Sequence, residues 1–207
     1  MVKKREDLIN EIIGIEWQMF QNVPNVGGKA LCQEDPVTFK IMRFSQGMSW
    51  SEAALKSYLK DLKEAEKKER NLLTEKYARM MRSTAPSEYD QIEHLLPPLN
   101  PEVFPLIDKI LEIALPWQEE LAERFPSILG RGRPLRASQD TPFATSFETY
   151  LRGELLTYSR RTLELYHRNL LKQKNENING SQIALEHTVK QYGYSSLEEA
   201  NKKLMAR

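Results

Sequence analysis

The chain holds 207 residues, 40% of them hydrophobic and 29% charged, with 30 Lys and Arg balancing 29 Asp and Glu. That length suffices for a sizeable core, and the balanced charge excludes an acidic tail, a basic nucleic-acid-binding arm or a disordered chain. No apolar run approaches the roughly 18 residues of a membrane span, and the first residues lack the apolar core of a secretory signal.

Apolar residues recurring every three to four positions predict helices over 4–22, 37–49, 51–83 (with a break around Lys67–Arg70), 87–95, 102–123, 145–174, 181–192 and 196–205. Ser51, Ser87, Ser146, Ser181 and Ser196 stand where an N-cap oxygen accepts from free backbone amides. Pro36, Pro86 and Pro101 fall at or near helix starts, while Pro105 and Pro116 either shift the start of the 102–123 helix or kink it. Runs of alternating Val, Ile and Thr are missing. The expected fold is all-α, an irregular multi-helix bundle forming one domain over 1–207, with the 4–22 and 145–174 helices central. Two long irregular stretches, 23–36 and 126–142, interrupt the helices, and loops of that length often carry function.

The net charge of +1 conceals an uneven distribution. Residues 1–123 hold 16 bases and 21 acids, whereas 124–168 hold eight Arg, no Lys and four acids. Arg makes planar, bidentate contacts to carboxylate and phosphate and populates buried ion pairs. Ordinary surface charge and salt bridges explain the block equally well, and a net +4 is too sparse for nucleic acid.

Laying the helices on a wheel sets ionic residues inside apolar stripes. In 4–22, Leu8, Ile9, Ile12, Ile13, Met19 and Phe20 share an arc, and Glu16 falls near its middle. In 145–174, Phe147, Leu151, Leu155, Tyr158, Leu163 and Tyr166 define an apolar face that contains Glu148, Arg152 and Ser159. Glu148 and Arg152 stand in the i, i+4 relation that lets them meet. Arg43 and Gln46 share a side of 37–49 with Phe39 and Trp50. A buried carboxylate must be paired, hydrogen-bonded or protonated. Two readings stay open: a salt-bridge network that fixes helix register, or a polar pocket between helices.

Other candidate chemistry is thinner. Glu164 and His167 have the spacing of two metal ligands on one helix face, but His94 and His187 supply no second pair, so no metal or other cofactor is expected. Cys32 lies in a Gly-containing loop near a helix start, and a buried thiol is the commoner fate than a nucleophile. As the only cysteine it builds no disulfide framework, which makes a reducing cytosol the expected compartment. The segment GRGRPLR, with Arg131 and Arg133, can wrap an anion with amides and guanidiniums or form a plain surface loop. No phosphate-binding glycine loop, dinucleotide fingerprint or nucleophile elbow is present.

The segments EIIGIEWQMFQNV, GGKALCQEDPVTFKIMRFSQ, SYLKDLKEAEKKERNLLTEKYARMM, SFETYLRGELLTYS and YGYSSLEEA resemble a bacterial domain-of-unknown-function family, number 4125, over roughly residues 9 to 200. The resemblance implies a cytosolic, mostly helical domain, and brings no reaction, cofactor or catalytic residue. On the residues alone, the expected function is a binding module that holds a small anionic ligand or a partner protein's side chains at the Glu16, Arg43, Glu148 and Arg152 cluster and the 130–136 loop, with no nucleic acid and no membrane. Its candidate ligand-binding residues are Arg43, Gln46, Arg131, Arg133, Arg152 and Tyr158. The alternatives are an enzyme with Glu16 or Glu148 as a general acid/base of raised pKa, and a structural adaptor.

Overall fold

The structure, a computed structural model, describes residues 4–25, 28–130 and 132–206. Among them the chain forms helices α1 (Arg5–Gln21), α2 (Pro36–Met48), α3 (Glu52–Lys67), α4 (Leu72–Thr84), α5 (Pro86–Ile92), α6 (Phe104–Arg124), α7 (Pro126–Leu129), α8 (Phe147–Leu155), α9 (Arg160–Asn175), α10 (Gly180–Gln191) and α11 (Leu197–Met205). Extended pairing among the described residues is limited to one isolated bridge, Thr141 with Ala144. The fold is an all-α bundle. No helix of the described residues is long and apolar enough to cross a membrane.

The boundaries follow local chemistry. Ser51, Ser146 and Ser196 cap α3, α8 and α11, each accepting from a backbone amide three residues on. Ser87 and Ser181 lie inside α5 and α10 instead, because Pro86 opens α5 and Asn179 caps α10. Pro105 occupies the first turn of α6, where its missing amide removes nothing, and Pro116 sits inside that helix. The expected break near Lys67–Arg70 is a Schellman stop: Glu69 adopts φ +52° and the Arg70 amide donates to the Ala65 carbonyl. Asn71 then caps α4 and its Nδ2 donates to the Met19 carbonyl, tying the break to the end of α1.

The 145–174 segment is two helices, not one. Ser159 caps α9, and Asp61 of α3 accepts from both the Ser159 amide (3.0 Å) and the Thr162 hydroxyl (2.6 Å). The carboxylate thus fixes the turn at 156–159. The two long irregular stretches also carry short helical turns. In 23–36, buried Gln33 donates to the Phe20 and Val23 carbonyls, satisfying the end of α1. In 126–142, α7 forms, and Asp140 accepts from the Ser146 amide, Thr149 and Ser83.

α1 packs against α2, α3 and α4; α9 lies on α3 and α6; α8 lies on α4 and α6. Their apolar faces make one core in which Ile9, Leu62, Ile107, Ile110, Leu155 and Leu163 are almost fully buried. A smaller cluster of Leu121, Phe125, Val189, Leu197 and Ala200 joins the end of α6 to α10 and α11.

The approach of α8 to α4 requires a glycine. A Cβ at Gly153 would stand 2.7 Å from Met80 Cγ and 3.2 Å from the Lys76 carbonyl oxygen, whereas one at Gly14 of α1 meets nothing within 4 Å. Gly14→Ala should therefore stabilise the protein by up to about 1 kcal/mol through helix propensity. The same change at Gly153 should lower stability by about 1–2 kcal/mol, the overpacking cost exceeding the propensity gain. Urea denaturation of the two variants measures the opposite signs, and a stabilised Gly153→Ala would contradict this packing.

Candidate functional site

Five helices deliver ionic or phenolic groups to one point. α1 brings Glu16, α2 brings Arg43 and Gln46, α3 brings Tyr58, α4 brings Lys76 and α8 brings Glu154; Tyr158 enters from the α8–α9 turn. The Arg43 guanidinium spans the two carboxylates. Its Nε donates to Glu16 Oε2 at 2.7 Å and its Nη2 to Glu16 Oε1, while Nη1 donates to Glu154 Oε1 at 2.9 Å. Lys76 Nζ donates to the other oxygen of Glu154 at 2.6 Å. Tyr58 donates to Glu16 and Tyr158 to Glu154, each at 2.7 Å, and Gln46 accepts from Arg43 at 2.8 Å.

The two carboxylates and two cations cancel, and three of the four are closed off from solvent: Glu16 is 0% exposed, Glu154 3% and Lys76 5%, while the Arg43 side chain keeps 14%. Burial by itself would raise the Glu154 pKa. Arg43 and Lys76 outweigh it and hold the carboxyl well below the ordinary range. Burial likewise opposes the charge on Arg43, yet Glu154 and Glu16 keep it protonated even more firmly than a free guanidinium. Burial, then the neighbouring carboxylates, push the Tyr58 and Tyr158 phenols well above their usual value. Both therefore act as hydrogen-bond donors and not as bases. Two spaces of about 20 Å³ flank the cluster, one toward Phe39, Tyr77 and Tyr150, the other toward Trp50 and Leu55. Each has room for about one water, since a single water needs roughly 10–15 Å³.

The structure brings together Glu16, Arg43, Gln46 and Tyr158 from the sequence candidates. It places the others elsewhere. Glu148 is half-buried and accepts from the Ala137 amide at 2.9 Å, clamping the 126–142 stretch. Arg152 pairs with Asp108 of α6 at 2.9 Å with both side chains well exposed, so it does not meet Glu148. Arg133 stacks on the Tyr150 ring at 4.5 Å, and Lys76 Nζ stands 3.5 Å from the centre of the same ring. Arg133 thus stops one ring short of the cluster. Arg131 lies outside the described residues. Cys32 is exposed, and Glu164 pairs with Arg160.

Glu154, Lys76 and Tyr58 escaped the sequence reasoning although their signals were present. Treating 145–174 as one helix let Leu163 and Tyr166 widen the apolar arc until Glu148 and Arg152 fell within it. With the break at 156–159, α8 is judged by itself, and Glu154 is buried on it with Leu151, three positions away, while Tyr158 reaches it from the turn. Lys76 is centred on the Leu72–Met80 row of α4 in the same way.

A larger opening lies beside the cluster. A cleft of about 240 Å³ is bounded by the end of α3, the start of α4, the Pro97–Asn100 stretch and the α8–α9 turn. Its charged lining is Asp61, Glu64, Lys68, Arg70, Arg79 and Arg160. Tyr158 lines this cleft and also donates to Glu154, so one phenol joins the open site to the buried one. No curated protein and no solved structure matches the chain. A family model does match, over residues 6–202, and the chain belongs to that family, which is described as Protein of unknown function (DUF4125).

Proposed function

We propose that the chain is a small-molecule binding module in which the Glu16–Arg43–Glu154–Lys76 cluster holds five helices in register and the ligand occupies the adjoining cleft. One contrast carries this reading: the cluster is fully paired and adjoins only water-sized spaces, whereas the cleft that shares Tyr158 with it is open, polar and about 240 Å³. Small-molecule sites combine a concave space with a few convergent polar groups. Glu154 itself, held ionised by Arg43 and Lys76, is not placed to serve as a general acid.

Amide chemical shifts of the labelled protein, recorded against pools of small polar anions, polyols and amino acids, test the reading. Saturable shifts at Pro97-flanking residues, Thr157–Arg160 and Lys68–Arg70 are expected. Shifts centred instead on Tyr77 and Tyr150, at the rim of the buried cluster, would relocate the site and overturn the proposal, as would silence across all pools.

A further inference from the structure

One cation of the cleft is buried without a direct ion pair among the described residues, although Glu75 and Glu93 lie near enough to act on it. Arg79 of α4 is only 8% exposed, and it lines the cleft. Its Nη2 donates to the Pro97 carbonyl at 2.7 Å, but its Nε is buried with no acceptor, and no ion pair to it is formed among the described residues. Buried guanidiniums are ordinarily paired, because an uncompensated charge in a low-dielectric setting is costly. The cost is visible here, since burial pulls the Arg79 pKa below that of a free guanidinium.

The other cations of the cleft differ in how far they are committed. Arg70 is bidentate to Glu75, at 2.8 and 2.7 Å, and Arg160 pairs with Glu102 and Glu164. Lys68, at the end of α3, has no ion pair among the described residues. Of the two carboxylates on the lining, Glu64 pairs with Lys60 and Asp61 accepts from Ser159 and Thr162, so Arg79 and Lys68 are the cations of the cleft without an ion pair among the described residues. A carboxylate would neutralise one of them. A phosphate monoester, with a charge of about −1.5 to −2 near neutral pH and three acceptor oxygens, matches both. The space is many times the roughly 10–15 Å³ of one water, which leaves room for an organic body behind the phosphate. Asp61 on the same lining holds Ser159 and Thr162 through Oδ2, which leaves Oδ1 as the acceptor for a hydroxyl group on that body.

Resting on the binding reading above, we infer that the cleft takes a hydroxyl-bearing phosphate monoester, with its phosphate on Arg79 and Lys68. Arg79 is in this account the anchor, retained against its burial cost because the ligand supplies the missing anion.

The test compares glycerol 3-phosphate, inorganic phosphate and glycerol, at matched ionic strength with chloride, by calorimetric titration and amide shifts of the parent protein. The expected result is saturable glycerol 3-phosphate binding with shifts around Arg79 and Thr157–Ser159, weaker binding of inorganic phosphate, and none of glycerol. Arg79→Met should lose at least tenfold in affinity and unfold at a temperature no lower than the parent, the opposite of a guanidinium kept for structure. Lys68→Ala, at an exposed position that does not endanger folding, should lose at least threefold. Glycerol bound in the cleft without either phosphate would overturn the phosphate class and leave the binding module standing. No binding of any of the three would overturn the phosphate monoester and leave the binding module to the wider pools, whereas shifts only at Tyr77 and Tyr150 would overturn both. Inorganic phosphate binding as tightly as the monoester would overturn the organic body, and undiminished affinity in both variants would overturn the anchor.

Discussion

Arg43→Met should lower stability by about 3–5 kcal/mol, the scale on which a buried ion pair broken from one side destabilises a protein. The guanidinium supplies both hydrogen bonds that neutralise Glu16, which is 0% exposed and would keep only the Tyr58 hydroxyl. Glu154 suffers less because Lys76 and Tyr158 remain on it. Set against a total stability of about 5–15 kcal/mol for a domain of ordinary size, the variant sits close to unfolding. Urea denaturation should show a lowered midpoint with an unchanged slope. Adding Glu16→Gln should recover part of the loss, since the stranded charge is then gone. A cost below about 1 kcal/mol would mean that the cluster behaves like an exposed salt bridge.

The second large effect is on acid stability. The Glu154 carboxyl has its pKa depressed by folding, so its contribution is complete above the unfolded value near 4.5 and is lost as the pH falls through the folded value. The parent protein should therefore lose stability steadily below about pH 4.5, as protons reach a carboxyl wedged between Arg43 and Lys76. Glu154→Gln should be less stable at pH 7, with two cations left under-compensated, and should show a flatter dependence between about pH 2 and 4.5. Equal slopes in the two proteins would assign the acid limb to other carboxylates.

Helix-level organisation was legible in the residues. Periodicity placed α1, α2, α6 and α11 to within about two residues, and the break between α3 and α4 falls where it was expected, around Lys67–Arg70. Glu16 and Arg43 were legible for a related reason: each stands on a single uninterrupted helix, where wheel phase reports burial faithfully. Glu148 and Arg152 show the limit of the same method, because a wheel drawn across an unseen break mixes two faces.

The break at 156–159 itself depends on Asp61, nearly a hundred residues earlier, which accepts from Ser159 and Thr162. A capping partner on another helix leaves no trace in local pattern. Sequence by itself thus determined the helical class, most element boundaries and the presence of charge within apolar stripes, since those depend on neighbours three or four positions away. Which charges meet was decided only in three dimensions. Arg43 and Glu154 are joined across 111 residues, Lys76 and Glu154 across 78, and the Arg79 guanidinium meets the Pro97 carbonyl and no carboxylate. Pairing of that kind is set by how whole helices stack, and stacking is governed by the summed burial of their faces and not by any one residue's neighbours in the chain.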